Sequence, residues 1–172
     1  MNKQLTIKAV SAALLSIGLA MGASVAYAHG DETHKKPTAN APISTDEHPF
    51  GKQGDPKKVS RTITIDMSDT MRFTPGDITV KEGETIKFVV ANKGKIMHEM
   101  VLGTMDELKK HGELMKKNPG MEHDEPYMSH VGPSKKEEMV WQFTKAGEFF
   151  YACLIPGHFE AGMIGKITVK KG

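Results

Sequence analysis

Gly147-Glu148-Phe149-Phe150-Tyr151-Ala152-Cys153-Leu154-Ile155-Pro156-Gly157-His158-Phe159-Glu160-Ala161-Gly162-Met163 holds the only cysteine of the chain, followed by a histidine and a methionine at equal intervals of five residues. Phe149, Tyr151 and Cys153 alternate with their neighbours, so the stretch opens as a strand with those three on one face. Leu154 to Met163, with Pro156, Gly157 and Gly162, reads as a loop, and Ile164 to Lys170 closes it as a strand with Ile167 and Val169 inward. A thiol, an imidazole and a thioether converging from one short loop make up most of a soft-metal site. The candidate for a further imidazole is His98, in Asn92-Lys93-Gly94-Lys95-Ile96-Met97-His98-Glu99-Met100-Val101.

Upstream, short apolar alternations separated by turn residues repeat the strand pattern. Ile63, Ile65 and Met67 alternate with Thr62, Thr64 and Asp66, which predicts a strand with one buried face. Asp77–Val80 and Thr85–Val90 flank Lys81-Glu82-Gly83-Glu84 and read as successive strands joined by a glycine turn. Met97 to Leu102 is a strand with His98 at its leading end, and Met139, Trp141 and Phe143 mark another. The segment 104–133 interrupts this pattern. Thr104-Met105-Asp106-Glu107 fits a capping box, a helix runs to Lys117, and Asn118-Pro119-Gly120 ends it. Gly120 to Pro133 reads as a loop. Several short strands with one short inserted helix predict an all-β sandwich over 61–172.

The N-terminus reads as a targeting segment. Lys3 and Lys8 precede a largely apolar run from Ala9 to Val25, and Ala26-Tyr27-Ala28 fits a cleavage pattern, so 1–28 is expected to be a signal peptide removed after Ala28. A membrane anchor is the competing reading, weakened by Ser11, Ser16, Gly18 and Gly22 within the run. Elsewhere the sequence has no run approaching the ~20 apolar residues a span requires. The mature chain is expected in a bacterial periplasm.

Loss of the two lysines of 1–28 removes the formal charge of +2, so the composition offers no basis for a nucleic-acid partner. Residues 29–60 are polar, with Ile43, Phe50 and Val59 almost their only large apolar side chains, and are expected to be a mobile tail. The tail carries His29, His34 and His48. It is a plain linker or, through His29 and the new amino terminus, a copper chelate.

A lone cysteine in an oxidising compartment forms no internal disulfide, and its bland role is that of a small buried hydrophobe. The histidine and methionine at regular spacing favour ligation instead. Cys153, His98, His158 and Met163 together make the His₂Cys set with a weak axial thioether that suits copper in an electron-transfer centre. Structural zinc is the rival, but it usually wants more thiolates or a third histidine, and the chain has no Cys-x-x-Cys pair.

Phe150 to His158, followed by Gly162-Met163-Ile164-Gly165-Lys166-Ile167, resembles the copper loop of the cupredoxins, especially the rusticyanin and auracyanin branch. With His98-Glu99-Met100 and the Met/His-rich segments, the chain is most similar to bacterial periplasmic copper-tolerance cupredoxins. The resemblance covers Arg61 onward. It implies a Greek-key β-sandwich with one type 1 copper buried at one end. It further implies a redox partner protein docking where His158 emerges among Ile155, Pro156 and Phe159. Many relatives carry Asn directly after the first histidine ligand, tying the two ligand loops together, where this chain has Glu99.

The insertion brings Met105, Met115, Met121 and Met128 together in sequence with His111, His123 and His130, donors for a second, weaker copper site or simply packed and solvated side chains. Two functions share the ligand set: one-electron transfer and copper tolerance. A copper chaperone or sequestration protein using the additional Met/His sites is the alternative. The chain has no His-x-His pair and one cupredoxin-sized domain, so an enzyme is not expected.

Overall fold

The structure, a computed structural model, describes residues 42–118, 121 and 123–172. The expected signal peptide, 1–28, and the first part of the expected tail, 29–41, lie outside the described residues. Alternating strands build two facing sheets. One is ordered β1 (Glu47–His48), β2 (Gly51–Gln53), β9 (Lys136–Gln142), β6 (Thr85–Asn92), β3 (Arg61–Ser68) and β4 (Arg72–Thr74). The other is ordered β5 (Asp77–Lys81), β11 (Ile164–Lys170), β10 (Gly147–Ala152), β7 (His98–Gly103) and β8 (Met128–Val131). This is the expected all-β sandwich with one short helix. The predicted alternation sets the inward faces, with Ile65 and Met67 of β3, Met139 and Trp141 of β9, Tyr151 of β10, and Ile167 and Val169 of β11 all buried.

The turn Lys81–Glu84 carries the chain from one sheet to the other rather than closing a hairpin: β5 pairs parallel with β11, and β6 parallel with β3. Short turns that change sheets are what make a sandwich from strands this brief. The two sheets therefore share one core, and Cys153 and Met163 belong to it.

Residues 47–58 depart from the expected mobile tail. β2 pairs with β9 at Lys52↔Gln142 and Gln53↔Trp141, extending the sheet by a β1–β2 ribbon. Phe50 is buried and its ring stacks on Trp141 at 5.2 Å, while its carbonyl accepts the Trp141 indole N–H at 2.9 Å. A buried indole N–H requires an acceptor, and the open edge of β9 requires a partner. Phe50 meets the first need, and Lys52 and Gln53 directly after it meet the second.

The helix α1 (Met105–Lys117) forms as predicted. Thr104 Oγ1 accepts from the Glu107 N–H at 3.3 Å, and the Glu107 carboxylate accepts from the Thr104 N–H at 2.9 Å. Its buried residues are Leu108 and Gly112, and Leu108 packs with Val101, Ala152 and Leu154 on the outer face of the β7–β10 pair. The helix thus covers the sheet that carries the cysteine. The loop expected over 120–133 contains β8, which pairs antiparallel with β7. Four residues, two of them polar and with Pro126 and Pro133 nearby, leave too short an alternation to distinguish from loop.

Removing the Phe50 ring tests its part in the core. In denaturant unfolding of the full chain, Phe50→Ala should lose about 3 kcal/mol of stability. A side chain in a mobile tail would cost almost nothing.

Candidate metal centre

Strand pairing brings the sequence candidates together. β7 begins at His98, β10 ends at Ala152, and the two run antiparallel with Ala152 opposite Val101, so His98 and Cys153 meet at the same end of the sandwich. His98 and Cys153 are fully buried and His158 is half-buried. One donor atom from each of the three lies within 4.8 Å of the others. The Cys153 Sγ to His158 Nδ1 distance is 3.2 Å, and the His98 and His158 ring centres are 5.0 Å apart. Met163 is buried in the same cluster as Cys153. Its carbonyl accepts the Cys153 N–H at 3.1 Å, and its N–H donates to the His158 carbonyl at 3.1 Å.

The loop holds its shape through its own backbone and through anchors on either side. The His158 N–H donates to the Ile155 carbonyl at 2.9 Å, and Gly157 and Gly162 take the left-handed φ of +92° and +88° that the turns require. Arg72 Nη1 reaches from β4 to the Ala161 carbonyl at 2.9 Å. From α1, Lys116 pairs with Glu160 at 2.5 Å, and Glu160 in turn accepts the Gly157 N–H at 3.0 Å.

His98 is oriented by a residue the sequence reading did not single out. Asp69 Oδ1 lies 3.1 Å from His98 Nε2, which puts the ring proton there and turns Nδ1 toward its neighbours. That Nδ1 is buried and makes no hydrogen bond. The other Asp69 oxygen accepts the Lys95 N–H at 2.8 Å, and this backbone hydrogen bond is the leading cause that holds the carboxyl below its usual range. Gly94 is what admits Asp69, because a Cβ there would overlap the carboxylate.

Glu99 supplies the tie between the start of β7 and the Cys153 loop. Its carboxylate accepts the Leu154 N–H at 2.7 Å and meets His130 Nε2 at 3.1 Å, while its own N–H points at Cys153 Sγ at 3.5 Å. A longer side chain thus makes the inter-loop hydrogen bond and recruits His130 as well. His130, expected among the donors of a second metal site, is instead drawn to the main one.

The electrostatics favour the neutral forms of the Cys153 thiol and the His158 imidazole. Burial pushes the Cys153 thiol up to about 12, with the Glu99 charge adding to it and the Glu99 and Ile155 backbone N–H groups opposing. Burial, followed by the nearby His98, lowers the His158 imidazole below its usual range. An orphaned buried nitrogen, a buried thiol and a second imidazole could hold one copper ion, and that donor set suits both its oxidation states.

The residues 59–170 match the copper binding proteins of the plastocyanin/azurin family. The chain belongs to that family. Among this family, the copper-resistant cuproprotein CopI of Rubrivivax gelatinosus is 49% identical over 158 residues, which span 92% of this chain and 95% of that protein. The copper-resistant cuproprotein CopI of Vibrio cholerae is 32% identical over 164 residues, 91% and 97% of the respective chains. In three dimensions the chain resembles auracyanin B, with a TM-score of 0.59 and 17% identity over 73% of this chain and 99% of that one. The reduced auracyanin of Roseiflexus castenholzii has a TM-score of 0.56 and 22% identity over 64% and 98%. These structural likenesses carry the cupredoxin fold. Copper is the metal of this family.

Two outcomes follow for the groups around the centre. Asp69→Ala leaves His98 free to turn and should weaken copper binding by about 10- to 100-fold in a competition titration. The hydrogen bond to Glu99, together with the charges of Glu99 and Asp124, raises the His130 imidazole above its ordinary 6.5. Its contribution to stability is full below the unfolded-state value and is lost as pH rises through the raised folded-state value. The melting temperature of the metal-free protein should therefore exceed that of His130→Gln most below the ordinary histidine value of 6.5, and the gap should shrink as pH rises beyond it.

Proposed function

We propose that the chain is an exported type 1 copper protein that exchanges single electrons and serves copper tolerance. The observation that carries this reading is the preassembled trio at the strand ends, with the buried Nδ1 of His98 left without a hydrogen bond. His98 Nδ1, Cys153 Sγ and His158 Nδ1 would hold the ion, with the Met163 thioether as the weak fourth donor. Bound copper supplies a one-electron couple between Cu(I) and Cu(II). Cys153 Sγ keeps its proton in the metal-free site and gives it up on ligation. Asp69 keeps the His98 proton on Nε2, and Glu99 holds the two ligand loops in register. Anchors from β4 and α1 limit the rearrangement that a change of charge would otherwise cause.

Single electrons must also enter and leave. His158 is half-buried beside Ile155 and Phe159, Pro156 is exposed, and Ile96 and Met97 just before His98 are each 43% exposed. An apolar rim around an imidazole edge suits brief docking of a redox partner protein. Among the described residues no helix is long and apolar enough to cross a membrane. Export rests on the sequence of 1–28, cleaved after Ala28, and the periplasm is the compartment it implies. The copper-tolerance role is supported by the copper-resistant cuproproteins that the chain matches along nearly its whole length. Carriage of electrons and metal, rather than catalysis, is the activity assigned.

Cu(II) added to the full chain should produce an intense thiolate-to-copper absorption that bleaches reversibly on reduction and vanishes in Cys153→Ser. No such band in the parent protein would reject the centre. A strain lacking the gene should grow poorly under copper stress, and normal growth there would reject the tolerance role.

A further inference from the structure

Away from Cys153, a groove of about 390 Å³ lies against α1 and the segment that follows it. His48, His111 and His123 all line it, together with Glu107, Glu125 and Tyr127. His48 is occupied by the aromatic cluster, its ring 4.9 Å from Tyr127 and 5.1 Å from Phe50. The other two histidines face each other, with ring centres 4.9 Å apart and planes inclined by 39°. That separation nearly equals the 5.0 Å between His98 and His158. Two imidazole nitrogens, each about 2.0 Å from a shared ion at a bent angle, hold their ring centres about 5 Å apart.

A second observation points to a ligand. His111 Nε2 is buried and makes no hydrogen bond. A buried ring nitrogen left unsatisfied costs free energy, and native structures rarely keep one without a reason. In the main centre the nitrogen in this condition is His98 Nδ1, the one turned toward the metal site. We propose that His111 and His123 hold a second, exchangeable Cu(II) ion in the α1 groove, independent of the Cys153 centre.

The donor chemistry selects the ion and its lability. Imidazole nitrogen without thiolate favours a borderline divalent ion, and among first-row metals Cu(II) binds such a set most tightly. The carboxylates of Glu107 and Glu125 on the groove walls outnumber the single ammonium of Lys110 there. Glu107 is committed to the helix cap, and among the described residues no carboxylate joins the two imidazoles within ligand reach, so water is left for the remaining coordination positions. Two protein nitrogens with the other positions open make a site that fills at high copper and empties again. In a protein of copper tolerance, that is uptake capacity added to a redox centre. The three histidines of the insertion therefore divide: His130 serves the main centre, and His111 and His123 form the second.

The test uses the full chain already loaded with one copper at the main centre and adds Cu(II) alone. His29, His34 and the amino terminus are unchanged in the variant, so the comparison isolates the groove. His111→Asn with His123→Asn should bind one equivalent fewer and lose a tetragonal Cu(II) resonance signal, with the thiolate absorption unchanged. Equal copper content and equal spectra in parent and double variant would overturn the proposal. The same pair of substitutions placed in Cys153→Ser should again remove one equivalent. Equal Cu(II) content with and without them in that background would also overturn it. Loss of the thiolate band alone bears on the main centre and leaves this comparison intact.

Discussion

The antiparallel pairing of β7 with β10 is the constraint on which the rest of the structure depends. It sets Ala152 opposite Val101, and the next residue beyond the strand end is Cys153 while the first residue of β7 is His98. A slip of one residue would turn every side chain of a strand to the other face. Cys153 would then leave the core and His98 would lose Asp69. Glu99 guards that register from within. Its carboxylate bridges from β7 to the Leu154 N–H and to His130 on β8, so three neighbouring segments of one sheet are pinned at the metal end. A buried carboxylate is costly unless paired and hydrogen-bonded, and here both conditions are met.

Rigidity around His158 is supplied from outside its loop. Arg72 belongs to the opposite sheet and Lys116 to α1, yet each reaches residues 160–161. The helix is thus more than an insertion tolerated by the fold. It covers the outer face of the β7–β10 pair with Leu108, latches the Cys153–Met163 loop through Lys116, and presents His111 to the neighbouring groove. The β1–β2 ribbon has a similar double role, since Phe50 completes the packing of Trp141 while His48 joins the aromatic wall of that groove.

Much of this was legible in the residues alone. The period of two placed the inward faces of β3, β9, β10 and β11, and Thr104 with Glu107 placed the start of α1. Regular spacing of Cys153, His158 and Met163 marked the loop, and His98 stood at the head of a predicted strand. What was not legible has a common cause. Asp69 sits in an ordinary turn 29 residues before His98, and nothing in its own neighbourhood signals that partner. β8 is four residues long, and the ordered ribbon around Phe50 lies in a polar stretch whose composition argues against order. In each case the stabilising partner is remote in sequence.

Local chemistry and local periodicity therefore determined, from the sequence by itself, the class of fold, the donor types and the metal they suit. Tertiary structure decided which donors share a centre. It assigned His130 to Glu99 rather than to the Met/His insertion, and set His111 against His123. It also turned the departure at Glu99 into the inter-loop tie. The physical reason is range: alternation and donor softness are properties of a residue and its neighbours, while a hydrogen bond between loops exists only once both sheets have packed.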